Sequence, residues 1–309
     1  MNDPLTSDLS SPTSPEGQTI HGTSLAIRFV NFVKLPHTLF ALPFALLGLL
    51  AASSQAPITL RTVALVVLAF SGARWVAMGF NRIVDRDFDA RNPRTRAREL
   101  PSGGLTLTQA WLSVGVAGAV FLIASALLNP LCLLLAPPAL LWVMAYSLSK
   151  RFTWWPHLWL GASLAIAPVG GYLAVTGRWS EPWWLLPVIA LGVATWVAGF
   201  DIFYALPDEQ FDRSEGLRSA VVRLGERRSI LLAKALHGLT IPALALFGWG
   251  AGFGAWYLAG VGVAAGILIY EHQLVKPGDL SRLDAAFFTM NGVMSVTVFG
   301  FALVDRIIA

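Results

Sequence analysis

Long stretches without a single charge constrain this chain more than any other feature. Leu100 to Ser149 is a run of 50 residues free of Asp, Glu, Lys and Arg, Ala235 to Tyr270 a run of 36, and Ala285 to Val304 a run of 20. Leu35 to Leu60 and Phe152 to Gly177 are runs of 26 each. A helix needs roughly 20 apolar residues to cross the hydrocarbon core of a bilayer, so each of the two longest runs can hold two passes. Only 13% of the 309 residues are charged, against about 25% in a soluble domain. These facts exclude a soluble enzyme, a secreted disulfide scaffold and a DNA-binding domain. The one cysteine, Cys132, can close no intramolecular disulfide.

Apolar runs and their breakers place nine transmembrane helices, at 30–52, 62–80, 108–128, 131–148, 157–175, 183–203, 231–248, 253–270 and 285–304. The seventh and eighth are separated only by Gly248, Gly250, Gly252 and Gly254. These imitate a dinucleotide fingerprint, but no strand precedes them, so they read as a turn between helices. Residues 1–22 are rich in Ser, Thr, Pro and Gly and lack the layout of a signal peptide, which predicts a disordered tail ahead of a single transmembrane domain over 23–309. With the tail on one side of the membrane, that side carries 18 of the 22 Lys and Arg residues. The positive-inside rule makes it cytoplasmic, in what would be the inner membrane, and puts the C-terminus outside.

Asn81, Asp85 and Asp89 follow the second span at intervals of four, and Tyr204, Asp208 and Asp212 follow the sixth in the same way, offset by 123 residues throughout. Four spans separate the two sets, so the chain divides into two similarly oriented halves. Each half ends a helix on D-x-x-x-D at the cytoplasmic side. Carboxylates at i and i+4 share a helix face and repel, so a cation is expected between them. Oxygen donors without nearby His or Cys suit Mg²⁺, which is usually held by one or two carboxylates and a substrate phosphate. Arginines crowd both sites and suit phosphate oxygens. The plainer reading makes these positive-inside loops with acids to balance the arginines. It remains open for the arginines and leaves the duplicated acids unexplained. Asp201 lies a heptad before Asp208 and deeper in the membrane, and Arg74 lies inside the second span. Ionisable groups at such depth are candidates for function.

The run Asn81-Arg-Ile-Val-Asp85-Arg-Asp-Phe-Asp89-Ala-Arg-Asn92-Pro93-Arg94-Thr95, continued by Arg98-Glu-Leu-Pro101-Ser-Gly103, resembles the first aspartate-rich motif (81–103) of the UbiA superfamily of intramembrane aromatic prenyltransferases. Asp201-Ile-Phe-Tyr204-Ala-Leu-Pro-Asp208-Glu-Gln-Phe-Asp212, running on to Gly216-Leu-Arg218-Ser219, resembles the second (201–219). Tyr146-Ser-Leu-Ser-Lys150-Arg151, Ala167-Pro-Val-Gly-Gly-Tyr and Lys34-Leu-Pro-His37-Thr are also similar to the family. The resemblance implies nine helices around a central cavity, capped on the cytoplasmic side by the motif loops. It implies Mg²⁺-dependent transfer of a polyprenyl group from polyprenyl diphosphate to a hydroxylated aromatic acid in quinone biosynthesis. The flanking residues are most similar to those of enzymes acting on 4-hydroxybenzoate in the ubiquinone branch. A naphthoate-type acceptor of the futalosine route to menaquinone is the alternative. Carried over by position, Asn81, Asp85, Asp89, Asp208 and Asp212 would hold metal, and Arg94, Lys150, Arg151 and Arg218 would bind diphosphate. One departure is Pro207, which disfavours helix at Leu206 and removes an N–H, so the sixth helix is expected to break there and Asp208 to open a new turn.

Asp201 is then the candidate to take up the acceptor's proton or to orient the acceptor, with a structural ion pair as the plainer reading. Arg74 is the candidate partner of the acceptor's carboxylate, or else an ion-pair partner of a cavity acid such as Asp201. His37, Glu271, His272 and Asn291 read as further cavity residues or, more plainly, as satisfied polar groups. A cation-coupled transporter is the rival class, and it would need polar residues reachable from both faces in turn. The bilayer and the two substrates are the expected partners. Neither nucleic acid nor an obligatory protein partner is expected.

Overall fold

The computed structural model describes residues 22, 24–34, 38–283 and 285–308. His37 and nearly all of the expected tail lie outside them. The described residues are helical: α1 (Leu25–Phe32), α2 (Thr38–Ala51), α3 (Leu60–Val84), α4 (Arg86–Arg91), α5 (Leu107–Leu128), α6 (Pro130–Tyr146), α7 (Pro156–Thr176), α8 (Leu185–Ala205), α9 (Glu209–Ser214), α10 (Ala220–Leu224), α11 (Glu226–Gly250), α12 (Ala255–Leu274) and α13 (Asn291–Ile308). A helix stands over each of the nine expected spans. Six helical segments are long and apolar enough to cross a membrane, namely α3, α5, α7, the stretch Leu185–Ser214 that begins with α8, α11 and α13. Of the other three, α2 and α6 are shorter, at 14 and 17 residues.

Several ends differ from the expected ones, and two of them have a clear local cause. The first span, 30–52, is not one helix, because Lys34 takes a left-handed φ of 49° after α1 and α2 begins only at Thr38. A left-handed residue cannot continue a right-handed helix. The second span runs on past residue 80 to Val84, because Arg82 is buried with its Nε donating to Phe32 O of α1 at 3.4 Å. A charge marks the end of an apolar run, and here it does not end the helix. Between α11 and α12 lies the expected turn, with Gly252 at φ 70° and Gly254 capping α12, while Gly248 and Gly250 still belong to α11.

Lipid supplies no hydrophobic drive for helices to associate, so close packing rests on small residues. A Cβ on Gly48 of α2 would lie 1.9 Å from Pro168 O of α7, and one on Gly171 of α7 would lie 2.0 Å from Ala45 O of α2. Gly161 brings α7 as close to α8, with Ala194 O 2.2 Å from its missing Cβ. Helices α2, α7 and α8 thus form a tight spine, on which Phe44, Trp196, Phe247 and Tyr257 build a core. Around it α3 packs on α5, α8 on α11 and α12 on α13, which returns to α2.

The duplicated spacing has a structural counterpart. In each half a long helix ends at or shortly before the first acid of the D-x-x-x-D, α3 at Val84 and α8 at Ala205, and a six-residue helix follows, α4 after α3 and α9 after α8. The residues of α4 and α9 are again 123 apart.

Candidate active site

Local sequence explains how each motif turns over the helix ends. After α4, Asn92 Oδ1 accepts from Arg94 N at 2.9 Å and Thr95 Oγ1 donates to Asp89 O at 3.0 Å, which folds the Asn-Pro-Arg-Thr run back across the acids. In the second motif Pro207 has the effect expected of it. Helix α8 ends at Ala205, a 3-10 turn covers Leu206–Asp208, and α9 starts at Glu209. Asp201 therefore stays on α8 while Asp208 and Asp212 belong to the next turns.

The motifs meet in a polar chamber of about 150 Å³ whose wall includes Asn81, Asp85, Asp89, Asp208 and Asp212 together with Arg94, Lys150 and Arg151. Every one of the four motif acids has a basic partner. Arg98 Nη1 lies 2.6 Å from Asp89 Oδ1, Lys150 Nζ 2.9 Å from Asp212 Oδ2, and Arg151 Nη2 3.0 Å from Asp85 Oδ1. Arg94 forks onto both oxygens of Asp208, with Nε 2.9 Å from Oδ1, and Asn92 Nδ2 adds a 3.2 Å bond to the same Oδ1. Asn81 Nδ2 donates to Asp85 Oδ2 at 2.9 Å. Lys150 and Arg151 are neighbours on one 3-10 turn, Ser149–Arg151, yet one serves the second motif and the other the first.

Burial and charge oppose each other here. Burial pushes the Asp85 carboxyl above its ordinary pKa against the pull of Arg151. Burial also works against a charge on Lys150, but the Asp212 and Asp208 carboxylates outweigh it and hold the ammonium above its ordinary value.

Arg218 is not brought into this chamber. Its Nη1 donates to Phe152 O at 2.9 Å and its guanidinium lies 5.5 Å over the Trp154 ring. The backbone explains this, since Arg218 N is bonded to Lys150 O at 2.7 Å and so fixes residue 218 against the connector.

Beneath the chamber lies a second cavity, of about 360 Å³, walled mainly by Ala, Leu, Val, Ile and Phe from α2, α3, α5, α6, α7 and α8. It reaches from Asn81 to Val66 along α3 and from Tyr146 to Cys132 along α6. Either path is ~20 Å at 1.5 Å per residue. Arg74 stands in its wall, as expected. Asn81, Arg98, Tyr146, Asp201 and Tyr204 line both spaces and form the boundary between them. Asp201 is paired through Oδ2 with His157 Nδ1, 2.6 Å away. His157 is a wall residue that the spacing arguments missed. Its only sequence signal is a histidine beside the proline that opens α7.

Glu271, His272 and Asn291 line neither space. Asn291 is satisfied, taking a 2.7 Å bond from Trp196 Nε1 and giving a 3.1 Å bond to Glu271 Oε1, whereas Glu271 Oε2 and His272 Nδ1 are buried without a hydrogen-bond partner.

Could these residues hold a metal? Among the described residues no three His, Cys, Asp or Glu side chains gather closely enough to grip an ion unaided. The donors are nevertheless the hard oxygens that Mg²⁺ prefers, and Asp89 Oδ2 is buried in the site with no hydrogen-bond partner. That set fits an ion completed by ligands from the substrate.

Comparison with known proteins agrees with this architecture. Residues 41–293 match the UbiA prenyltransferase family. The 4-hydroxybenzoate octaprenyltransferase of Aromatoleum aromaticum is 31% identical over 216 residues, 70% of this chain and 72% of that one. That of Coxiella burnetii is 30% identical over 226 residues, 73% of this chain and 77% of its own. Among solved structures, the apo structure of a UbiA homologue from Aeropyrum pernix K1 superposes with a TM-score of 0.80 at 32% identity, covering 87% of this chain and 98% of its own. A UbiA homologue from Archaeoglobus fulgidus, bound to GPP and Mg²⁺, shares the fold with a TM-score of 0.65 at 21% identity, covering 90% and 99%.

Proposed function

We propose, from the premise that this chain belongs to the UbiA prenyltransferase family, that it transfers a polyprenyl group from polyprenyl diphosphate to a hydroxylated aromatic acid, 4-hydroxybenzoate. The chain is an integral membrane prenyltransferase. The acceptor is inferred from the names of its curated relatives, and the diphosphate donor and Mg²⁺ are supported by the ligands of the Archaeoglobus homologue. The observation that carries the reading is the boundary itself, five residues at which a polar chamber of acids and bases opens onto an apolar cavity. A diphosphate head and an isoprenoid tail need those two environments side by side.

In this reading Asn81, Asp85, Asp89, Asp208 and Asp212 would hold Mg²⁺, which would supply positive charge against the diphosphate leaving group. Arg94, Lys150 and Arg151 turn from the acids to the phosphate oxygens, and Arg218 stays on the connector. The allylic C–O bond breaks, its electron pair leaves with the diphosphate, and the aromatic ring forms a C–C bond to the same carbon. The ring then gives up a proton, which Asp201 accepts. The apolar walls keep water from quenching the allylic cation. Arg74 pairs with the acceptor's carboxylate. Nine helices cross the membrane, with the N-terminus on the cytoplasmic side and the motif loops forming a cap there.

The test is an assay of membranes with radiolabelled prenyl diphosphate against a panel of hydroxylated aromatic acids. Transfer to 4-hydroxybenzoate is expected, transfer to a naphthoate alone would reassign the acceptor, and no transfer to any of them would overturn the reading.

A further inference from the structure

We infer that His157 is a positioning residue for prenyl transfer, one that aims the Asp201 carboxylate at the acceptor. The inference deepens the functional reading above and rests on its assignment of Asp201.

His157 opens the first turn of α7, where Pro156 starts the helix. The partner of Nδ1, at 2.6 Å, is a carboxylate oxygen, and a carboxylate can only accept, so Nδ1 donates its N–H to Asp201 Oδ2. His157 is only 2% exposed, so the imidazole is held by packing, and the bond transfers that rigidity to Asp201. Asp201 differs in being 15% exposed at its side chain and in facing both the polar chamber and the apolar cavity. One carboxylate oxygen is thus tied to a buried scaffold while the group as a whole borders the space where acceptor and donor would meet.

His157 Nε2 is buried and has no hydrogen-bond partner. A group shielded in that way does not touch the acceptor, which makes His157 a residue that acts through Asp201. A satisfied structural histidine would engage both nitrogens. This one engages only the acid at the chamber boundary. Fixing a reacting group to within a fraction of an ångström is worth a large part of its catalytic contribution.

The experiment compares four purified full-length proteins in detergent: His157→Phe, which keeps the ring volume and loses the N–H, His157→Gln, which keeps an N–H donor, Asp201→Asn, and the His157→Phe/Asp201→Asn double variant. Turnover, acceptor KM, prenyl diphosphate binding and thermal stability are read on each. Expected for His157→Phe is a kcat lower by about 10- to 100-fold, the usual loss when an orienting partner is removed, with donor binding unchanged. His157→Gln is expected to recover most of it. In the Asp201→Asn background the phenylalanine substitution should have almost no further effect, because both act through one carboxylate.

Three results would overturn the inference: full turnover by a folded His157→Phe protein, a folded His157→Gln protein as slow as His157→Phe, or losses that multiply in the double variant. Should His157→Phe not fold, His157→Gln and its combination with Asp201→Asn decide the matter by the same comparison. A wild-type protein that prenylates none of the hydroxylated aromatic acids would instead overturn the functional reading and take this inference with it. Wild-type transfer with indifference to residue 157 would remove this inference alone.

Discussion

Arg94, ten residues beyond the end of α3, forks onto both carboxylate oxygens of Asp208, just past the end of α8. The side chains are 16% and 10% exposed, so this contact fastens the two halves of the chain in a partly dehydrated setting. Cutting one partner from such a pair leaves a buried charge unpaired. Arg94→Ala is expected to destabilise by about 3–5 kcal/mol and to weaken donor binding. Arg94→Lys, which keeps the charge and loses the fork, should fall between that variant and wild type. Thermal unfolding in detergent and a donor-binding titration measure both effects.

Metal removal gives the second prediction. EDTA is expected to abolish transfer, and Mg²⁺ or Mn²⁺ to restore it, because the motif donors are oxygens and the leaving diphosphate must be neutralised. Asp85→Ala and Asp208→Ala should each lower kcat by about 10²- to 10³-fold while eluting as folded protein in size-exclusion chromatography. Normal turnover by either variant would reduce that motif to a charge-balancing loop.

Topology is open to direct labelling. Single cysteines introduced into residues 90–105 and 214–228, in a Cys132→Ser background, should react with membrane-impermeant reagents only when the cytoplasmic face is exposed. Labelling of intact cells from outside would invert the orientation and move the site to the other face.

The depth of the apolar cavity predicts a length effect. Ala136, buried in its α6 wall, lies ten residues below Tyr146, ~15 Å down the helix. Ala136→Leu should leave transfer from a short donor such as geranyl diphosphate near the wild-type rate and cut transfer from long polyprenyl donors by roughly tenfold or more, the discrimination that a few methylenes give in an apolar pocket. A parallel fall for all donors would mean a general packing defect, which overfilling can cause at about 1–3 kcal/mol.

The sequence made the motif acids legible because their signal is local. D-x-x-x-D needs only five consecutive positions, and its recurrence 123 residues later is visible without any structure. Pro207 was legible for the same reason, since a proline acts on its own turn. The His157–Asp201 contact could not be read, because its partners are 44 residues apart on different helices and nothing near either one specifies the other. Arg218 misled because charge shows that an arginine can bind an anion but not where its backbone lies. Here a bond from its own N–H to Lys150 O anchors it outside the chamber. The ends of α3 were hidden because burial of Arg82 against α1 is a tertiary event, and the apolar run stops before the helix does.

The boundary formed by Asn81, Arg98, Tyr146, Asp201 and Tyr204 makes this protein a device for chemistry between two immiscible phases. In the proposed reaction inorganic diphosphate, the charged product, would form in the polar chamber. The prenylated acid would have become oily and would remain where its new tail is already dissolved. Neither product has to pass the other on the way out, so separation of the two is built into the place where they form.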